Sequence, residues 1–363
     1  MKANVMMLPG DGVGPEVSAA VEKVLVEVAR IWGHDFSFQH GLIGGASIDA
    51  CGEAVSTATL QACQASDAVF LGAVGGPKWD GGEVRPEQGL LALRKALGVY
   101  ANIRPVHPHP SGFAASPIRP DRLRGVDLLF VRELTGGIYF GDKVEGADKA
   151  SDLCSYSADE VARVVRRAAQ LAVGRRGKLT LVDKANVMAT SRLWRQVTEK
   201  VMAEEFPSLE LEVLLVDAAA MHLLSRARDF DVIVTDNLFG DILTDEASML
   251  CGSMGMMPSA SLGDGRASLY EPIHGSAPDI AGQNVANPIG AILSGAMLLE
   301  YSLGLLEEAR AVRRAVNACL DHGLVTRDLA AMDQTALSTK QVTQEVIDQV
   351  NGCVIQNQVA AAY

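Results

Sequence analysis

The chain has 363 residues, of which 48% are hydrophobic and 21% charged, and this composition excludes both a small stapled domain and a disordered chain. Its 44 acidic residues outnumber its 32 basic residues, and the formal net charge of -12 disfavours binding to nucleic acid or to an anionic membrane surface. The six cysteines show no metal-ligand spacing and indicate reduced thiols. Because the N-terminus also lacks a leader-like apolar run, we expect a cytoplasmic protein.

Apolar runs of strand length alternate with longer segments of helical periodicity. The pairs are residues 5–8 before 16–32, 68–74 before 89–97, and 179–182 before 191–205. Further strand-like runs are residues 127–131, 211–216 and 231–235, which end in charged or polar residues. This alternation predicts an α/β fold, in which functional groups collect at strand ends.

Two further segments bear on domain organisation. Residues 104–125 are rich in proline and glycine, which predicts a crossover and a domain boundary near residue 100. Residues 291–306 form the longest apolar stretch, but polar residues interrupt it and it is short for a bilayer span. We therefore predict a buried helix there and no membrane segment.

A glycine-rich segment follows the first predicted strand. Gly10, Gly12 and Gly14 precede Pro15, so the segment has the spacing GxGxG rather than the GxGxxG of the dinucleotide fingerprint. No well-placed ribose-binding acid follows about 20 residues later. A tight turn with Pro15 at the first helical position is therefore favoured over a Rossmann nucleotide site.

The strongest chemical signal is acidic. Asp241 and Asp245 would lie one turn apart on a helix predicted to begin near Gly240. At about 4 Å two like charges repel by roughly 4 kcal/mol at an effective dielectric near 20, so a converging pair needs a cation or a raised pKa. Asp217, predicted at the end of a strand, could complete a set of oxygen ligands for Mg²⁺ or Mn²⁺. For the pair alone, a solvated helix face remains the favoured alternative.

Arginines form the complementary signal. Arg94, Arg104 and Arg132 would bind carboxylates through their forked guanidinium groups if they converged. Each of them alone is more often a surface salt-bridge partner, and the sequence does not show convergence.

Two further residues have the chemistry of acids and bases. Lys184 follows an apolar run and could act as a general base beside a cation. Tyr139 could be the matching acid, although a tyrosine in a predicted hairpin is ordinarily a packing residue. The glycine-containing segment 271–288 has the composition of a nucleotide loop, but composition alone indicates only a loop.

Together these segments resemble the metal-dependent β-decarboxylating dehydrogenases of 2-hydroxy acids, a family that includes isopropylmalate, isocitrate and tartrate dehydrogenases. The resemblance runs nearly end to end through LPGDGVGPEV, GAVGGPKWD, RPEQGLLALRK, ANIRP, VRELTGGIYFG, VDKANVM, DNLFGDILTDEASML and EPIHGSAPDIAGQNVANP. It implies a two-domain α/β fold with a mixed sheet, distinct from the Rossmann fold. Residues 1–99 and 252–363 would form a discontinuous nucleotide-binding domain. Residues 100–251 would form the substrate, metal and dimerisation domain, with a hairpin arm near 133–150.

The resemblance also implies roles for the acidic, basic and tyrosine side chains. The metal ligands for Mg²⁺ or Mn²⁺ would be Asp217, Asp241 and Asp245, and Asp217 would also contact substrate. Arg94, Arg104 and Arg132 would hold the malate carboxylates. Lys184 would be the base and Tyr139 the acid. Lys184 and Asp217 would come from the partner subunit of a homodimer with shared active sites.

The cofactor and the substrate follow from the same resemblance. The implied cofactor-binding residues are Gly76, Pro77, Glu87, His274, Gly275, Ser276, Ala277, Asp279, Ile280 and Asn287. Asp279 favours NAD, because its carboxylate would accept from the ribose hydroxyls and repel a 2′-phosphate. Leu90, Leu91 and Val187 would form an apolar wall for an isopropyl group.

The expected activity is therefore oxidative decarboxylation of 3-isopropylmalate. Isocitrate, homoisocitrate and tartrate remain alternative substrates. A non-catalytic regulatory subunit is disfavoured, because every chemical position is intact.

Overall fold

The computed structural model describes the backbone of residues 1–361 and the side chains of residues 1–352. Its contacts divide the chain into two compact units. The first contains Met1–Gly98, His109–Ser116 and the residues from Gly252 on, and the second contains Val99–Pro108 and Pro117–Cys251. Among the described residues, no helix has both the length and the apolar character that crossing a membrane requires.

Strands and helices alternate along both units. The strands are β1 (Lys2–Gly10), β2 (Asp35–His40), β3 (Ala68–Ala73), β4 (Val99–Val106), β5 (Leu128–Glu133), β6 (Lys143–Val144), β7 (Ser151–Asp152), β8 (Lys178–Asp183), β9 (Glu210–Leu215), β10 (Val232–Thr235), β11 (Pro258–Gly263) and β12 (Leu269–Pro272). The helices are α1 (Gly14–Trp32), α2 (Gly45–Cys51), α3 (Thr57–Ala65), α4 (Pro86–Leu97), α5 (Pro120–Leu123), α6 (Ala158–Val173), α7 (Ala189–Glu205), α8 (Val216–Arg226), α9 (Asn237–Ser248), α10 (Ile289–Tyr301), α11 (Leu306–Asp321) and α12 (Thr339–Ala361).

The first unit has strands in the order β2-β1-β3-β12-β11. The pairs of β1 with β2, of β1 with β3 and of β12 with β3 are parallel, whereas β11 runs antiparallel to β12. Strand β3 is buried along its whole length, as expected for a central parallel strand. The antiparallel pair and this strand order differ from the parallel 3-2-1-4-5-6 order of a Rossmann domain.

The second unit has strands in the order β4-β5-β10-β8-β9. Strand β4 is antiparallel to β5, and the remaining neighbours are parallel. Helix α6 packs its buried face against β5, β8 and β10. The short strands β6 and β7 pair as a separate antiparallel hairpin. The predicted α/β fold with a mixed sheet is therefore confirmed.

Local sequence determines where several helices begin and end. Pro15 lies in the first turn of α1, where its missing N–H costs no hydrogen bond, and Gly33 ends the helix in the left-handed region at a φ of 69°. The predicted tight turn before α1 is thus confirmed.

Two sequence expectations were wrong. Residues 302–305 do not continue α10, since Leu306 begins α11, and residues 104–106, the start of the expected crossover, belong to strand β4.

Helix α6 offers a test of these local rules. Ser157 accepts a hydrogen bond from the Glu160 N–H at 3.3 Å, and the Glu160 carboxylate accepts from the Ser157 N–H at 2.7 Å. We expect Ser157→Ala to lower the free energy of unfolding by about 1 kcal/mol, measured by urea denaturation followed by circular dichroism. Ser157→Thr retains the hydroxyl and is the matched control. Equal free energies of unfolding for Ser157→Ala and Ser157→Thr would show that the hydroxyl cap does not stabilise the protein.

Candidate active site

Helix α9 carries the two acidic residues that the sequence singled out. Asp236 accepts a hydrogen bond from the Phe239 N–H at 2.8 Å and caps the helix. The helix therefore begins at Asn237, three residues before the predicted start, because the capping carboxylate satisfies a free N–H of the first turn. Asp241 and Asp245 follow on this helix, one turn apart.

The electrostatics of the acidic pair reflect burial and nearby arginines. Burial raises the pKa of Asp245, while the positive charge of Arg104 lowers it and the negative charge of Asp241 raises it again. The Arg104 guanidinium lies 4.0 Å from the Asp241 carboxylate. Its Nε donates to the Asn102 side chain at 2.7 Å, which fixes the plane of the guanidinium.

Arg132 lies near the end of β5 and is only 2% exposed. Its Nη1 donates a short hydrogen bond to Asp241 Oδ1, and its Nε and Nη2 both donate to Asn237 Oδ1, at 3.0 and 2.7 Å. Arg104 and Arg132 therefore converge on Asp241, which the sequence alone did not show. Gly240 permits this approach, because a Cβ at that position would lie 2.6 Å from Arg132 Cγ.

Tyr139 lies on a 3-10 turn, Gly137–Tyr139, before the hairpin rather than in it. Its hydroxyl donates to Asp241 Oδ2 at 2.7 Å. Burial and this hydrogen bond to Asp241 raise the pKa of Tyr139 to about 12, so its proton is retained at neutral pH. Asn237 donates to the Gly136 carbonyl oxygen at 3.1 Å and thereby links the turn to the Arg132 contact.

Lys184 and Asp217 form a second cluster in the same unit. Lys184 follows β8, and its ammonium group donates a short hydrogen bond to Asp217. This hydrogen bond lowers the pKa of Asp217. Asp217 was predicted at the end of a strand, but it lies in the first turn of α8, because β9 ends at Leu215 and the helix begins without an intervening loop. Val187 is close in sequence to Lys184 and is exposed.

The three predicted metal ligands are not gathered by one chain. Among the described residues, no group of three acidic, histidine or cysteine side chains is placed to hold a metal ion. Asp241 and Asp245 share one helix, whereas Asp217 is paired with Lys184. The donor set itself is all oxygen, which suits Mg²⁺ or Mn²⁺.

The remaining predicted substrate residues belong to the first unit. Arg94 on α4 is 8% exposed and donates to Glu271 at 3.0 Å. Leu90 and Leu91 lie half-buried on the same helix, and Glu87 is exposed in its first turn.

The predicted cofactor residues also lie in the first unit, in two loops. Gly76 and Pro77 open the 3-10 turn that follows β3. The other loop spans residues 274–287 and lines a small cavity with His274, Ala277, Ile280 and Asn287. Within the described part of the chain, His274 Nε2 is buried without a hydrogen-bond partner, and burial lowers the pKa of this histidine. Asp279 is exposed, as are Gly275 and Pro278, whereas Ser276 is buried.

Sequence reasoning missed three residues that shape these sites. Asn237 holds Arg132, Asp236 caps α9, and Glu133 accepts hydrogen bonds from the Thr135 and Gly136 N–H groups at 2.9 and 2.8 Å before the Tyr139 turn. An Asp-Asn pair just before a predicted helix is the signal that would have identified the first two.

A model of the isocitrate/isopropylmalate dehydrogenase family matches residues 4–346. The 3-isopropylmalate dehydrogenase of Geobacillus kaustophilus is 56% identical over 349 residues, covering 94% of each chain. That of Rhodopirellula baltica is 53% identical over 354 residues, covering 96% of this chain and 99% of the relative.

Comparison with solved structures points to the same family. The isocitrate dehydrogenase of Methylococcus capsulatus superimposes with a TM-score of 0.85 at 34% identity, covering 96% of this chain and 99% of the other. A β-decarboxylating dehydrogenase from Thermococcus kodakarensis superimposes with a TM-score of 0.80 at 35% identity, covering 98% of each chain. The chain therefore belongs to the isocitrate/isopropylmalate dehydrogenase family and is a decarboxylating dehydrogenase.

The cap of α9 predicts a pH dependence of stability. Burial raises the pKa of Asp236 to about 6, against the hydrogen bond from Phe239. The unfolded carboxyl titrates near 4, so this group stabilises the fold at low pH and loses that contribution as the pH rises through 6. Asp236→Asn can still cap but does not titrate. We expect its stability relative to the wild type to rise by up to about 3 kcal/mol between pH 4 and 7, measured by urea denaturation. A difference independent of pH would contradict this assignment.

Proposed function

We propose that this chain oxidises and decarboxylates 3-isopropylmalate to 4-methyl-2-oxopentanoate and CO₂ with NAD⁺, a step of leucine biosynthesis. The observation that supports it most directly is the convergence of Arg104, Arg132 and Tyr139 on Asp241. Two guanidinium groups, a protonated phenol and a pair of carboxylates suit a carboxylate substrate that must be oxidised and then protonated. The names of the similar relatives point to the same substrate.

Asp241, Asp245 and Asp217 would hold Mg²⁺ or Mn²⁺. Asp217 would reach the other two from the partner subunit, since among the described residues of one chain no three such side chains are placed to hold a metal ion. The bound cation would acidify the substrate hydroxyl and stabilise negative charge on oxygen. Asp217 would also contact substrate.

The residues of this chain move the protons. In its neutral amine form, Lys184 would accept the proton of the C2 hydroxyl, while hydride passes from C2 to NAD⁺. The bond from C3 to its carboxylate then breaks, CO₂ leaves, and Tyr139 would donate its proton to C3. Its hydroxyl donates to Asp241 Oδ2, so the phenol holds the proton that this step requires.

Arginines and apolar side chains would bind different parts of the substrate. Arg104 and Arg132 would hold the substrate carboxylates, and we assign the same role to Arg94. Leu90, Leu91 and Val187 would contact the isopropyl group. Their apolar side chains would leave the third carboxylate of isocitrate without a partner, and an unpaired buried charge is costly.

The first unit would bind NAD⁺ and contribute Arg94, Leu90 and Leu91 to substrate binding, and the second unit would contribute the metal ligands and the other substrate-binding residues. Cofactor binding is assigned to Gly76, Pro77, Glu87, His274, Gly275, Ser276, Ala277, Asp279, Ile280 and Asn287. The unpartnered His274 nitrogen and the adjoining apolar cavity fit an adenine ring. Asp279 would accept from ribose hydroxyls and so select NAD⁺ over NADP⁺.

A homodimer would complete the active site. Exposed apolar side chains lie on α8 and α9, which pack together, on the 3-10 turn after α9, and on and just after the hairpin, and contiguous exposed apolar surface marks a site of protein association. They are Met221, Leu224, Ile242, Met249, Val144 and Leu153. We place the enzyme in the cytoplasm, consistent with five described cysteines that are all free thiols.

Turnover tests the substrate and cofactor together. We expect NADH production from 3-isopropylmalate with NAD⁺ and Mg²⁺ or Mn²⁺, loss of activity on chelation, and recovery when the metal is returned. Isocitrate, homoisocitrate and tartrate, tested under the same conditions, are the controls. Turnover of isocitrate without turnover of 3-isopropylmalate would refute the substrate assignment.

Mixing of variants tests the shared site. Lys184→Met and Tyr139→Phe should each lose most activity, because each lacks one proton-transfer group. If Lys184 of one subunit works with Tyr139 of the other, denaturing and refolding an equal mixture forms heterodimers with one intact site. We expect about one quarter of wild-type activity from random association.

Each variant refolded alone is the control for this experiment. NADH binding by Lys184→Met should persist, which separates lost chemistry from lost folding. Failure of the mixture to recover activity, although light scattering shows dimers, would mean that the site is not divided in this way.

A further inference from the structure

The segment Gly10–Glu16, which joins β1 to α1, was set aside as a nucleotide fingerprint, yet it contacts both loops assigned to cofactor binding. Asp11 contacts the loop after β3, and Val13 and Glu16 contact the loop at residues 274–287. A single short segment thus carries hydrogen bonds to two loops that are distant in sequence.

Asp11 is 5% exposed, and its carboxylate accepts three backbone hydrogen bonds. Oδ2 accepts from the N–H groups of Gly45 and Gly75, and Oδ1 accepts from that of Ala46, all at 2.8 Å. Gly75 has a φ of 110°, and a Cβ there would lie 2.9 Å from Glu87 Oε1. Asp11 therefore fixes the chain at the residue just before Gly76 and Pro77, facing Glu87.

A second set of contacts anchors the same loop to α2. The Trp79 ring packs directly against Gly45, where a Cβ would lie 2.2 Å from ring carbons. Trp79 Nε1 and Lys78 Nζ donate to the two oxygens of Asp49, at 3.2 and 2.6 Å. These contacts are at the surface, so Asp11 is the buried anchor of the loop.

The other end of the segment holds the second loop. The Val13 N–H donates to the Ser276 carbonyl oxygen at 2.8 Å, and Gly12 approaches so closely that a Cβ would lie 1.9 Å from that oxygen. The Gly282 N–H donates to Glu16 Oε1 at 2.5 Å. Both contacts flank Asp279, which the proposed function assigns to the adenosine ribose.

We propose that Asp11 and Glu16 are positioning residues for the two ends of the dinucleotide. The loop at residues 274–287 carries the groups assigned to adenine and ribose, which leaves the loop after β3 for the nicotinamide end. Asp11 therefore sets the nicotinamide loop, and Glu16 sets the adenosine loop. The assignment rests on the proposed function, because the loops bind NAD⁺ only if that function is correct. The segment then links the two loops, because it is hydrogen-bonded to both.

Comparison of NADH with ADP-ribose, which lacks nicotinamide, separates the two roles in the full-length dimer. Asp11→Ala removes all three acceptor contacts, and Asp11→Asn retains at most two, since the NH₂ group that replaces one carboxylate oxygen cannot accept. We expect Asp11→Asn to weaken NADH binding about tenfold and ADP-ribose binding less than about twofold, with a larger loss in Asp11→Ala. The decrease in kcat should accompany the loss of NADH affinity, while the KM for 3-isopropylmalate stays nearly constant.

Glu16 should behave differently. Glu16→Ala is expected to weaken NADH and ADP-ribose about equally, roughly fivefold, with kcat little changed. Glu16→Gln can still accept from Gly282, so this conservative variant should recover most of the affinity. Circular dichroism checks that each variant is folded, and Asp11→Asn keeps the test decisive if Asp11→Ala does not fold.

Three results would overturn the inference. Wild-type NADH affinity in folded Asp11→Asn would remove the role of Asp11, and equal weakening of both ligands would show a general effect on folding. Equal losses in Glu16→Ala and Glu16→Gln would remove the role of Glu16. A wild-type chain that binds neither ligand would instead overturn the proposed function, and the inference with it.

Discussion

A guanidinium group buried in a protein must be surrounded by acceptors, and Arg132 imposes this constraint on the second unit. The side chain is 2% exposed, so leaving it unpaired would cost several kcal/mol. Its donors are satisfied by Asn237 and Asp241 on α9, which fixes the helix against the end of β5. The second oxygen of Asp241 then accepts from Tyr139. One buried cation thus orients both the acidic helix and the phenol.

The burial of Arg132 also explains why Gly240 is a small residue and why Asn237 carries an amide. Gly240 is needed because any side chain there would collide with the aliphatic part of Arg132. Asn237 is suited to its place because its amide both accepts from Arg132 and donates to the Gly136 carbonyl oxygen. An aspartate would lack the donor, and a leucine would lack both functions. The geometry around Tyr139 therefore depends on a neutral side chain that performs no chemistry itself.

Periodicity and strand ends predicted much of this arrangement, but they had limits. Asp241 and Asp245 were identified because a helix places residues four apart on one face, and Arg132 was identified because it ends an apolar run. Asp217 was placed on the wrong element, since a helix that follows a strand without a loop leaves no turn signal. Asp11 was overlooked because its function lies in contacts to Gly45, Ala46 and Gly75, which are remote in sequence. Contacts between distant segments have no periodic pattern.

The charges around α9 also bear on how the proposed substrate and cation would bind. Asp241 and Asp245 together balance Arg104 and Arg132, so the cluster is close to neutral as it stands. A divalent cation would add two positive charges beside two guanidinium groups, and repulsion would oppose its binding. The two carboxylates of 3-isopropylmalate would restore neutrality, and Asp217 of the partner subunit would arrive with its ion-pair partner Lys184, so that pair would leave the balance unchanged. Each ligand would then strengthen the binding of the other, because binding free energies are coupled reciprocally. In the proposed dimer, the partner subunit would supply a third oxygen ligand together with the base Lys184, so dimer formation would complete the site without disturbing this charge balance.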